Sequence, residues 1–230
     1  MNHHHDKLHA LWSSKLRAQA TSAKPADMRA FDASNLPKHP LPDHLSAIVS
    51  SASLDLEIGA GQGFHALAYS LRHPERRLIA VERTINRFKQ LQRRFTEHGC
   101  PTNLFPVHAD AISVVSHWLQ DTSLERVFLL YPNPYPKAKQ ANLRWHNMPF
   151  MGQLLRKMKP QGRLTLATNI SSYKDEARSV MEREWGMNLV AEELVNHSPR
   201  THFEKKYLER GETCWNLVFE KTAKAHTISS

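Results

Sequence analysis

From about residue 53 onward the apolar positions of the chain alternate between two periods. Leu54-Asp55-Leu56-Glu57-Ile58 reads as a short strand, followed by glycines and a helical stretch from Phe64 to Leu71. Leu78-Ile79-Ala80-Val81 predicts a second strand. Behind Thr84, a residue type that caps helices, Ile85, Phe88, Leu91 and Phe95 recur at helical spacing. A strand over 104–107 and a helix over 111–119 follow. Arg126-Val127-Phe128-Leu129-Leu130 is an apolar run typical of a strand buried on both faces. A helix over 150–158 reaches a turn at Lys159-Pro160-Gln161-Gly162, which leads into a strand over 163–167. A helix near 173–185 and strands near 188–194 and 214–219 complete the pattern. Strand and helix alternate five times, which implies an α/β fold with a doubly wound, mostly parallel sheet of about seven strands and helices on both faces.

Residues 1–50 read as an irregular arm, broken by Pro25, Pro37, Pro40 and Pro42, in which only His9 to Ala20 has the pattern of a short helix. The main domain is expected over 51–222, with a short tail over 223–230. No apolar stretch is long enough to span a membrane. The first residues lack the apolar core of a signal peptide, so the expected compartment is the cytoplasm. Two cysteines, Cys100 and Cys214, make neither a disulfide framework nor a zinc knuckle. The His3-His4-His5 run and the His39/His44 pair have no second pair of ligands, so no metal is expected.

Charge adds a second layer. Lys plus Arg number 31 against 22 Asp plus Glu, a net charge of +9. Between Arg126 and Lys174 there is no acidic residue but there are nine basic ones, while the rest of the chain balances at 22 and 22. A one-sided block of this kind points to an acidic partner such as nucleic acid; a buried strand and solvated helix ends are the plainer explanation.

The candidate chemistry lies at strand ends. Glu57-Ile58-Gly59-Ala60-Gly61-Gln62-Gly63 closes the first strand and opens the first helix, where glycines allow a tight turn and close approach of a ligand. A dinucleotide fingerprint needs its third glycine at position 64, which is Phe64. Glu82 ends the second strand, placed to accept two ribose hydroxyls, and Asp110 follows the third. Strand-end solvation or helix capping is the plainer role for each acid. Glu57, Gly59, Gly61, Gly63, Glu82 and Asp110 together resemble the class I S-adenosylmethionine-dependent methyltransferases, a Rossmann-like fold. The resemblance implies that Glu57 and the glycine loop lie beside the methionine portion of S-adenosylmethionine, Glu82 on its ribose and Asp110 near its adenine.

After the fourth strand comes Tyr131-Pro132-Asn133-Pro134-Tyr135-Pro136-Lys137, where three prolines fix the backbone around Asn133. Ala167-Thr168-Asn169 ends the fifth strand, and Thr201-His202-Phe203-Glu204 lies between the last two. In order and spacing this set is similar to the bacterial tRNA (guanine-N7)-methyltransferase family over roughly residues 54–220. That family has Phe-Pro-Asp-Pro-Trp-x-Lys, Ala-Thr-Asp and Thr-x-Phe-Glu at these places. Here Asn133 and Asn169 stand for its two aspartates, Tyr135 for its Trp, and only Lys137 and Arg144 remain of its basic run. The resemblance implies an enzyme that methylates tRNA at guanine N7. Asn133 is the expected catalytic residue and a wall of the cofactor site; Lys137, Arg144, Asn169, Thr201, Phe203 and Glu204 are expected on the substrate. Lys139 joins Lys137 and Arg144 as a phosphate contact, with Arg156, Lys157, Arg163, Lys174 and Arg178 as weaker candidates. Arg83, Arg87 and Arg94 extend the patch, and Tyr135, Trp145 and Phe203 are candidate base-stacking groups. The same fold acting on another nucleobase or a small molecule, and a cofactor- and RNA-binding module without catalysis, remain as alternatives.

Overall fold

Every residue of β1 (Leu54–Ile58) and β2 (Leu78–Glu82) is buried, and these two strands are neighbours inside a seven-stranded sheet. A computed structural model describes residues 31–51, 53–195 and 198–223 of the chain. The other strands are β3 (Leu104–His108), β4 (Leu124–Leu130), β5 (Met158–Thr168), β6 (Met187–Leu194) and β7 (Trp215–Lys221). Their order across the sheet is β3-β2-β1-β4-β5-β7-β6. Strands β1 to β5 pair in parallel, and β7 is antiparallel to both neighbours. The helices are α1 (Asp43–Val49), α2 (Phe64–Arg72), α3 (Ile85–Glu97), α4 (Ala111–His117), α5 (Phe150–Lys157), α6 (Ser171–Arg183) and α7 (His202–Glu209).

The period-2 alternation of the strands sorts the core into two layers. Leu54, Leu56, Ile58, Ile79, Val81, Val127 and Leu129 belong to the larger apolar cluster, with α1, α4, α5 and α6. Leu78, Ala80, Phe128 and Leu130 belong to the smaller one, with α2 and α3. In β1 the remaining side chains are acidic yet buried. Asp55 accepts the Tyr69 hydroxyl at 2.6 Å and is paired with Arg76, while Glu57 Oε2 lies 3.0 Å from His65 Nδ1. Buried carboxylates require such partners. None of the described helices is long and apolar enough to cross a membrane.

Several expectations change. The irregular arm ends earlier than residue 50, because α1 inserts Leu45 and Val49, 1% and 3% exposed, into the core. The proposed helix at His9–Ala20 and the His3–His5 run lie outside the described residues. The turn at residues 159–162 is absorbed into β5, which starts at Met158 and pairs there with Leu124; Gln161, at φ +62°, marks the irregularity. Helix α7 occupies ground read as a connection.

Candidate active site

Strand order reverses between β1 and β4, and at the carboxyl ends of these strands the loops part to leave a cavity of about 630 Å³. Ligands of open α/β sheets bind at such a switch point. The cavity is walled by the loops after β1, β2, β3 and β4 and by the start of α7. Glu57, Gly59, Gly61, Glu82, Asp110, Asn133, Thr201 and Phe203 all line it, as do Tyr135 and Trp145.

The glycine loop is held in left-handed backbone, with φ of +77° at Gly59 and +80° at Gly63. Gly59 has open space where a side chain would stand. A Cβ on Gly63 would fall 2.2 Å from Leu91 Cδ1 and 3.3 Å from Leu91 Cα. Gly63 therefore serves the packing of the loop on α3 and does not line the cavity.

Glu82 organises the loop from below. One carboxylate oxygen accepts the Gly61 N–H at 2.8 Å and the other the Thr84 N–H at 2.7 Å. It is only 4% exposed, and a carboxylate with two bonds made keeps lone pairs for two hydroxyls. The fit to a vicinal diol of a nucleoside is therefore direct. Thr84 precedes α3 as expected, but its side chain makes no capping bond; Glu82 satisfies its amide instead. Asp110 does cap: Oδ1 accepts from Ile112 N at 2.9 Å and Ser113 N at 3.4 Å. Its Oδ2 faces Arg83 at 3.6 Å.

Opposite this half stands the loop after β4. Tyr131 and Tyr135 have φ of +53° and +43°. Each such conformation costs on the order of 1–3 kcal/mol in a bulky residue and persists only where the surroundings enforce it. Three bonds do so. Tyr131 N donates to Ala167 O at 2.8 Å, its hydroxyl donates to Glu204, and Asn133 Oδ1 accepts the Tyr135 N–H at 3.2 Å. Asn133 is exposed at the cavity, and with its Oδ1 engaged by Tyr135 its amide NH2 offers two further donors there.

Helix α7 closes the side. Thr201 Oγ1 accepts the Glu204 N–H at 3.0 Å, and Glu204 reaches back to the Arg200 N–H at 2.6 Å. Thr-x-x-Glu is a capping signature that could have revealed this helix in the sequence. Glu204 is fully buried, which corrects its expected substrate contact: it holds Tyr131 and Arg200 instead. Burial pushes its carboxyl up, but bonds from Arg200 and Tyr131 outweigh this and keep it below the usual carboxylate range. Tyr131 and Arg200 are supports of the cavity wall that the sequence did not single out. Around the mouth, the Arg87 guanidinium lies 5.4 Å from the Phe203 ring centroid and that of Arg94 3.7 Å from Phe64.

The basic block behaves differently from its sequence. Arg126 donates to the Tyr69 hydroxyl, Arg156 and Lys157 pair with Asp121, and Lys159 with Glu125. Arg163 pairs with Glu220 and Lys174 with Glu192; Arg178 also reaches Glu192. Arg144 is 2% exposed and paired with Glu176, so it is no phosphate contact. Asn169 donates to Glu212 at 2.6 Å and does not line the cavity. Lys137 and Lys139 remain exposed and make no ion pair among the described residues. Also among the described residues, no group of three or more His, Cys, Asp or Glu is placed to hold a metal.

A parallel sheet with an antiparallel strand inserted before its last member, a glycine loop after β1 and a ribose-ready acid ending β2 define a class I S-adenosylmethionine-dependent methyltransferase. The six-stranded all-parallel order of dinucleotide dehydrogenases is absent. A family model described as "Putative methyltransferase" matches residues 51–217. A tRNA (guanine-N(7)-)-methyltransferase of Nitrosomonas eutropha is 31% identical over 171 residues, 73% of this chain and 76% of that protein. One of Rhizobium etli is 30% identical over 214 residues, 90% and 91% of the two chains. The solved structure of the 16S rRNA methyltransferase KamB superposes with a TM-score of 0.59 at 13% identity, over 80% of this chain and 95% of that one. The chain belongs to the tRNA (guanine-N(7)-)-methyltransferase family.

Proposed function

We propose that the protein methylates guanine N7 in tRNA, with Glu57, Gly59, Gly61, Glu82 and Asp110 holding S-adenosylmethionine and the Asn133 loop holding the target base. One observation carries the reading: a single cavity joins the glycine loop and Glu82 to Asn133 and the aromatic groups Tyr135 and Phe203. Bound S-adenosylmethionine supplies an electrophilic methyl group on a sulfonium centre.

Guanine N7 has a lone pair and no proton, so its attack needs no general base. The residues' task is in-line alignment and tolerance of positive charge arriving on the purine. Asn133 suits this: it offers hydrogen bonds, does not titrate, and stands in a loop fixed by Pro132, Pro134 and Pro136. The three aromatics Tyr135, Trp145 and Phe203 provide stacking faces. Exposed Lys137 and Lys139, with Arg87 at the rim, are the cations that would meet phosphates in this reading.

The test is methyl transfer from labelled S-adenosylmethionine to tRNA, followed by nucleoside analysis. N7-methylguanosine is the expected product. A different methylated nucleoside assigns another base, and cofactor binding without transfer assigns a non-catalytic module.

A further inference from the structure

Arg144 follows the 3-10 turn Ala138–Leu143, and its buried guanidinium faces in two directions. On one side Nη1 donates to Glu176 Oε2 of α6. On the other, Nε donates to the Pro134 carbonyl at 3.2 Å and Nη2 to the Tyr135 carbonyl at 3.1 Å. These carbonyls immediately follow Asn133. The Tyr135 residue is thereby gripped at both ends, its N–H by Asn133 and its C=O by Arg144. It is also the residue at φ +43°, a conformation disfavoured for a bulky side chain unless its surroundings enforce it.

Glu176 is built to hold the arginine. Its second oxygen accepts Asn147 Nδ2 at 2.8 Å, and the same amide nitrogen donates to the Ala141 carbonyl at 3.1 Å. Burial pushes the Glu176 carboxyl up, yet His146, Asn147 and Arg144 outweigh it and hold the group below the usual carboxylate range. A buried guanidinium needs such a carboxylate, and the planar fork of arginine lets one group serve the ion pair and two carbonyls together.

We infer that Glu176 is a positioning residue for methyl transfer: through Arg144 it clamps the Pro134 and Tyr135 carbonyls and so fixes Asn133 against the cavity. The inference rests on the reading of the Asn133 loop as the target-side wall. It also replaces the phosphate role expected for Arg144 from its place in the sequence.

The experiment compares the full-length wild type with Glu176→Gln and Asn147→Ala, each checked for folding by circular dichroism. Three quantities are read: single-turnover methylation of tRNA, the salt dependence of tRNA affinity, and amide hydrogen exchange over residues 131–137. Glu176→Gln should slow methylation by roughly 10²-fold, as misalignment can, with cofactor affinity and salt slope unchanged and exchange at Tyr135 faster. Asn147→Ala, which leaves the ion pair in place, should show the same changes at smaller size, and it decides the matter if Glu176→Gln fails to fold. Wild-type rate and exchange in the folded variants would overturn the inference. So would tighter tRNA binding with a steeper salt slope in Glu176→Gln, because a released Arg144 would then be reaching phosphate. Hydrogen exchange needs no turnover, so a wild type that transfers no methyl to tRNA would count against the proposed function and leave the clamp readable.

Discussion

The Tyr131 hydroxyl donates to Glu204 Oε1 at 2.7 Å, joining the end of β4 to α7 across 73 residues of sequence. Burial keeps this phenol protonated far above its usual range, with Cys214 and Glu204 reinforcing the effect, so the group acts as a donor at any working pH. Tyr131→Phe should lower stability by about 1.5–3 kcal/mol, the range for a hydrogen bond to a charged group. The urea midpoint measures it. An unchanged midpoint would mean that Arg200 alone satisfies Glu204.

Glu82 supports the glycine loop as well as facing the cavity. Glu82→Ala should weaken S-adenosylmethionine binding by about 1–3 kcal/mol through unpaired hydroxyls and released amides. Calorimetric titration with the cofactor reads this directly, while tRNA affinity should change little. Wild-type cofactor affinity would remove Glu82 from the site.

Asn133 aligns without exchanging a proton. Asn133→Ala should reduce single-turnover methylation by roughly 10²-fold through lost alignment, with cofactor affinity nearly unchanged. Asn133→Asp keeps an acceptor for the Tyr135 N–H and places a negative charge beside a purine gaining positive charge, so activity should be kept or rise. Full activity in Asn133→Ala would reduce the residue to a turn former.

The exposed cations and the paired ones should separate by salt. Replacing Lys137 and Lys139 together with alanine should lower the log–log slope of tRNA affinity against salt by about two units or slightly less. Arg163→Ala, which removes a cation already paired with Glu220, should leave the slope as it was. Equal slopes for all three proteins would place the phosphates elsewhere.

Acid stability has an identifiable contributor at the start of β4. Lys159, Ser53 and Arg76 bond to Glu125 and hold its carboxyl down at about 2. A depressed carboxylate contributes its stability in full above the unfolded value of about 4.3, and loses it as pH falls from there towards 2. Glu125→Gln should therefore be less stable at neutral pH and show a shallower loss of stability between about pH 4.5 and 2. Parallel acid profiles for the two proteins would assign the acid response to other groups.

The sequence by itself determined the strand–helix alternation, because burial on a strand or a helix repeats with a local period that the apolar residues must follow. It also determined the glycine loop, Glu82 and the Asn133 loop, since turn geometry and a polar group at a strand end are both written in short stretches of chain. It did not determine the partners that make Asp55 and Glu57 admissible as buried acids in β1, which are Tyr69 and Arg76 for the one and His65 for the other. Nor did it determine the fate of the basic block. Lys159 meets Glu125 at a separation of 34 residues, Arg144 meets Glu176 at 32 and Arg163 meets Glu220 at 57. A count of charges along the chain sees the cations without these partners. The sheet order, which lays β5 between β4 and β7, brings Glu125 and Glu220 within bonding range of β5, and the packing of α6 against the turn before α5 does the same for Glu176. Tertiary structure thus decided which cations stay exposed and which brace the fold, because the strength of an ion pair depends on distance and burial, and neither follows from spacing in sequence.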